Sequence, residues 1–101
     1  MTSAASGMLG ILNRAKAVAY GPEVEGKIRK GFLLLLAKDA SPRSLKELRS
    51  LAETHGVPVV EIGSKSELGA PLGKAELTAV LILSKKGAAS FKEKLQKGEE
   101  A

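Results

Sequence analysis

Apolar residues in this chain fall into short continuous runs separated by helical stripes. Met8, Ile11, Leu12 and Ala15 recur at three- and four-residue spacing while Asn13, Arg14 and Lys16 face away, which predicts an amphipathic helix over residues 5–17 with frayed residues before it. Gly21 and Pro22 open a second helix, since proline is pre-organised for the first helical position and lacks only a donor that goes unused there. Glu23 and Glu25 complement its positive end and Arg29 and Lys30 its negative end; Val24 and Ile28 form its inner stripe, and Gly31 closes it.

FLLLLA, residues 32–37, is a continuous apolar run bounded by glycine and KDASP, as expected of a strand buried on both faces. Ser41 caps a third helix, with Pro42 at its first position, Leu45, Leu48, Leu51 and Ala52 inward, and Gly56 at its end. VPVVEI, residues 57–62, reads as a second core strand, and TAVLIL, residues 78–83, as a third. Ala88, Phe91 and Leu95 mark a final amphipathic helix with lysines outward, followed by a loose tail from Gly98. Helices alternating with apolar strands predict an α/β fold, a three-layer α/β/α sandwich around a mixed, mostly four-stranded sheet. The expected organisation is one domain, residues 8–97, between a flexible N-terminus (1–7) and a flexible tail (98–101).

Between the second and third apolar runs lies GSKSELGAPLGK, residues 63–74, rich in glycine and lysine. It is not a nucleotide loop: GAPLGKA has one residue too few between its glycines and Ala75 where the magnesium-binding hydroxyl belongs. Ser64 and Glu67 instead have the spacing of a capping box, so a short helix starts there and stops near Gly69.

Charge narrows the function. Sixteen Lys and Arg against eleven Asp and Glu give +5, the excess lying at both ends of the chain while residues 32–62 are neutral, a balance that favours polyanionic partners. With no cysteine, disulfides, thiolate metal sites and thiol catalysis are excluded, which suits the cytoplasm. No apolar run approaches the roughly 18 residues of a membrane span. The single histidine, His55, falls at a helix end, where a capping role is the plainer one. Asp39 and Ser41 sit near a strand end, but nothing completes a triad and no metal-ligand spacing occurs, so neither enzyme activity nor a cofactor is expected. Aromatic content is 3%, from Tyr20, Phe32 and Phe91, and two of these read as buried, which argues against base-stacking platforms. Lysines and helix N-termini remain, groups suited to backbone phosphates and shaped RNA. Lys38 and Asp39 follow the first strand, and Lys65 and Lys74 the second; in an open α/β sheet these ends gather on one edge, where the Gly21 turn can join them.

GPEVEGKIRKG followed by FLLLLAKDASP, VPVVEIGSKSELGAPLGK and AVLIL resembles the kink-turn RNA-binding ribosomal protein family of the archaeal seven-Ae and eukaryotic large-subunit thirty type. The likeness covers residues 8–96, is nearest the bacterial YlxQ-like branch, and is most specific in SKSELGAPLGK. It implies binding to structured RNA, ribosomal or a kink-turn, through a helix start of pattern GxNExxK and a loop before the last core strand. On that pattern Glu23 matches the Glu, while Pro22 stands for the Asn and Gly26 for the Lys; neither can supply an amide or a charge. Lys27, Arg29 and Lys30 remain for backbone contacts. The second loop corresponds to Lys74, Ala75, Glu76 and Leu77, charged and mixed where archaeal members are apolar, which implies altered specificity. The resemblance and the sheet-edge reading together nominate Gly21, Glu23, Lys27, Arg29, Lys30, Lys38, Asp39, Lys65, Lys74, Glu76 and Leu77 as RNA contacts. A protein-interaction module of the same fold, with a protein partner or as a homodimer, is the competing expectation.

Overall fold

The computed structural model describes the backbone of residues 1–100 and the side chains of residues 1–95. Four strands form one sheet: β1 (Val18–Tyr20), β2 (Leu33–Leu36), β3 (Val59–Glu61) and β4 (Ala79–Ile82), in the order β1-β4-β2-β3. β2 and β3 are parallel, and β4 runs antiparallel to both of its neighbours, so the sheet is mixed as expected. Five helices cover it: α1 (Ser3–Arg14), α2 (Glu23–Lys27), α3 (Pro42–Thr54), α4 (Lys65–Gly69) and α5 (Lys85–Glu100). Single 3-10 turns extend α2 (Ile28–Lys30) and α4 (Ala70–Leu72).

The four leucines of β2 show why the run had to be apolar throughout. Successive strand side chains point to opposite faces. Leu33 and Leu35 join Leu9 and Leu12 of α1, Phe91 of α5 and Leu68 of α4 in one core, whereas Leu34 and Leu36 join Val24, Ile28 and Ala52 under α2 and α3 in the other. The result is the three-layer α/β/α sandwich.

The fourth strand, which the sequence did not locate, is β1. The pattern overextends the first helix to residue 17. Helix α1 instead stops at Arg14, and a three-residue strand too short to show a period, its first two residues buried, pairs with β4. Its inward stripe is Ala5, Leu9 and Leu12, and Ile11, expected inside, is 52% exposed. Nor is the start frayed: Thr2 accepts a hydrogen bond from Ala5 N at 3.1 Å, and the Met1 amine meets Glu67 at 3.1 Å. Phe32 precedes β2 and is 43% exposed, so of the three aromatics only Phe91 is fully buried. β3 is an edge strand with half-buried valines, because only β2 pairs with it. α5 begins three residues earlier than its apolar stripe suggested. The loose tail expected over residues 98–101 lies outside the fully described residues.

The local devices read from the sequence are present. Ser41 Oγ accepts from Ser44 N at 3.1 Å. Ser64 Oγ accepts from Glu67 N at 3.2 Å while Glu67 Oε1 accepts from Ser64 N at 3.1 Å, a complete capping box. His55 caps α3 through its own ring, with Nδ1 3.1 Å from Leu51 O.

Candidate nucleic-acid interface

Strand pairing decides which loops meet. Tyr20 lies opposite Val80, Leu36 opposite Ala79, and Leu36 beside Glu61, so one edge of the sheet gathers residues 21–23, 74–78, 38–39 and 63–65. β4 contributes its amino end there, because it runs against its neighbours. The connections are tied to one another by backbone. Lys38 N donates to Gly63 O at 2.8 Å, Asp39 Oδ1 accepts from Lys65 N at 2.8 Å, Leu77 N donates to Lys65 O at 2.9 Å, and Ala37 N donates to Thr78 O at 2.9 Å. Lys65 is thereby held from both sides, and Asp39 works as a brace for the start of α4. Lys38 and Lys74 are exposed and Lys65 half-buried; Lys74 Nζ lies 5.6 Å from the Tyr20 ring centroid.

Gly21 turns the chain from β1 into α2 with a φ of 62°, a region open to glycine at little cost. It lies two residues before α2, whose N-cap is Pro22. Val24 is 2% exposed and packs into the core. Lys27 Nζ is 3.8 Å from Glu23 Oε2, both exposed. α2 has only five residues, so its two ends are about 7.5 Å apart and their opposite partial charges largely offset. The lysines and the turn, not a macrodipole, supply the positive character here.

Residues 23–92, more than half of the chain, match the family described as Ribosomal protein L7Ae/L30e/S12e/Gadd45. The chain belongs to this family. A curated relative is the RNA-binding protein YlxQ of Bacillus subtilis (strain 168), 30% identical over 78 residues that cover 74% of this chain and 78% of that protein. Two solved structures share the fold. A protein of unknown function from Bacillus halodurans superposes with a TM-score of 0.80 at 23% identity, over 90% of this chain and 99% of that one. The Giardia lamblia 15.5 kD RNA-binding protein superposes with a TM-score of 0.73 at 24% identity, over 94% and 84%.

Two grooves flank the Gly21 turn of this L7Ae-type domain. One, of about 600 Å³, runs beside β1 and brings Lys27, Lys74 and Glu23 together with Asn13, Lys16 and Tyr20. The other, of about 590 Å³, lies between α2 and α3, with Val24, Leu48, Leu51 and Leu77 as apolar lining and Glu25, Glu47 and Glu76 among its polar groups. Glu76 and Leu77 thus stand on the opposite side of Gly21 from Lys74. Arg29 and Lys30 lie past α2, just before β2 enters at the far sheet edge, outside both grooves. Asn13, Lys16 and Tyr20 were missed. Lys16 and Asn13 read as the outward face of a longer helix, and only its early stop brings them beside β1.

Proposed function

We propose that this chain is a non-enzymatic, cytoplasmic RNA-binding protein that contacts structured RNA, ribosomal or kink-turned, and requires no cofactor. The observation that carries the reading is the gathering of Gly21, Lys27, Lys38, Lys65 and Lys74 around one sheet edge, with lysines from separate segments and little aromatic surface. Such groups suit phosphates and backbone shape rather than a stack of bases. Two relatives named above are themselves called RNA-binding proteins, which supports the same class. With Pro22 and Gly26 in the pattern's Asn and Lys positions, base-edge chemistry is reduced, so affinity here rests on phosphates and falls steeply with salt.

The test is titration of the pure protein against a kink-turn hairpin and a straight duplex over a salt series. Preference for the hairpin supports kink-turn recognition, equal binding to both leaves shape-independent RNA binding, and no salt-dependent binding to either removes the proposal.

One observation favours a second reading, a protein partner. The groove between α2 and α3 pairs an apolar lining with three carboxylates, a surface that repels phosphate and suits a basic, partly apolar protein segment. Capture of a defined partner or a homodimer by native mass measurement, with no RNA carried along, would favour it.

A further inference from the structure

The groove beside β1 has two properties that residue composition alone does not explain. The first concerns the backbone. β1 is an edge strand with β4 as its single neighbour. Leu83 N donates to Ala17 O at 2.8 Å, one residue beyond the Val18–Ile82 pair. In an antiparallel ladder bonded and non-bonded residues alternate, so Ala17 and Ala19 face β4 while Val18 and Tyr20 turn their N–H and C=O groups outward. Val18 and Tyr20 also line the groove, with Val18 itself buried.

The second is Lys16. Ala17 N donates to Leu12 O at 2.8 Å and Lys16 N to Asn13 O at 3.0 Å, the paired bonds of a Schellman close, with Lys16 in the left-handed position at φ 58°. Glycine is the ordinary occupant of that position, and an L side chain there is strained. Among non-glycine residues of the described chain, Lys16 is alone in taking a positive φ. Strain of this kind clusters at functional sites, and here it sets a lysine at one end of the groove, opposite Lys74 at the other.

We infer that the outer edge of β1 is a second RNA subsite, along which the sugar–phosphate strand leaving the Gly21 turn runs toward Lys16. Residues 16–21 extend over roughly 16 Å at strand spacing, room for a short run of nucleotides. Lys16, Lys27 and Lys74 neutralise phosphates, the outward N–H groups of Val18 and Tyr20 and the Asn13 amide donate to non-bridging oxygens, and the Tyr20 ring offers a face to one base. The single acid in the groove, Glu23, is already paired with Lys27. The inference rests on the proposed RNA binding.

The decisive variant is Lys16→Gly, because it relieves the backbone while removing the charge. Anisotropy titrations of a labelled kink-turn hairpin between about 50 and 200 mM salt should show several-fold weaker binding and a salt slope smaller by about one. The melting temperature should rise by a few degrees in the same variant. Lys16→Arg should restore binding, and Lys46→Ala on α3, which loses the same charge elsewhere, should leave affinity and slope unchanged. If Lys16→Gly binds with the parent's affinity and slope, the subsite is overturned while RNA binding stands. If the parent protein binds neither hairpin nor duplex, both are overturned.

Discussion

Gly69, the glycine of SELG, is the most sharply constrained position in the segment that links the capping box to the sheet edge. It is the last residue of α4, with helical φ −73° and ψ −39°, and its carbonyl accepts from Lys74 N at 3.0 Å. A Cβ built there would stand 2.6 Å from Lys74 O and 3.1 Å from Glu76 N. Both are backbone atoms, so no rotamer change relieves the clash, and the 74–76 loop must move by several tenths of an ångström. Alanine at an unobstructed helical glycine stabilises by about 0.4–1 kcal/mol, whereas overpacking costs about 1–3 kcal/mol. The clash should prevail, leaving Gly69→Ala destabilised by about 1–2 kcal/mol. At roughly 4 °C per kcal/mol for a domain of this size, the melting temperature falls by about 4–8 °C. With a urea m-value of about 1.5 kcal/mol/M the midpoint falls by roughly 1 M. Gly26→Ala supplies the opposite sign: it too is helical, but exposed with nothing within 4 Å of its Cβ, so it should gain about 0.4–1 kcal/mol. Paired urea and thermal melts of the two variants check this. A Gly69→Ala protein as stable as its parent would sink the claim that this glycine exists to let the loop before β4 lie against α4.

Asp39→Ala removes the acceptor for Lys65 N at 2.8 Å, and should cost about 1 kcal/mol, the usual worth of a side-chain acceptor at a helix start; Asp39→Asn should keep most of it, as read from urea midpoints. Glu67 has its pKa lowered by the Met1 amine, which bonds it directly and through charge, and by Ser64 N–H. A carboxylate depressed in the folded state contributes stability that is present above its ordinary range and lost as pH falls through its folded value. The melting temperature should therefore decline in acid, below the ordinary 4.5, and Glu67→Gln should flatten that decline by lowering the pH 7 value toward the acid one; parallel acid slopes in the two proteins would refute it. The effect is small because Glu67 is exposed.

What the sequence disclosed, and what it withheld, follows from the range over which each signal acts. The Ser64–Glu67 box, the Ser41 cap and the leucine run of β2 are local, so residue spacing was enough. β1 was hidden because three residues cannot establish a two-residue period, and the helix pattern from Met8, Ile11 and Ala15 ran up to its first residue. Burial at strand ends was misjudged for another reason: Phe32 and the β3 valines are as apolar as their neighbours, and only strand order shows that one precedes its strand and the others lie at an edge. In the site, loops were assigned correctly to one sheet edge, since parallel and antiparallel pairing both deliver strand ends there. Their division into two grooves was not legible, because Glu76 and Lys74 are two residues apart in sequence and separated in space by the Gly21 turn.

That division bears on how RNA would lie. A polyanion meeting the sheet edge at Gly21 has Lys74, Lys27 and Lys16 on one side and Glu25, Glu47 and Glu76 on the other. Exposed charges act over about 8–10 Å at physiological salt, so both sets would bear on phosphates lying at the Gly21 turn that the two grooves share. On the proposed reading the strand would turn toward β1, by attraction on one side and repulsion on the other, with charge setting its orientation. The same repulsion would keep the apolar lining between α2 and α3 clear of RNA. RNA beside β1 and a basic protein segment between α2 and α3 would then touch opposite sides of one glycine turn, so the two readings of function are compatible on a single molecule. Competition between them in a binding assay would show that the grooves are less separate than their charges imply.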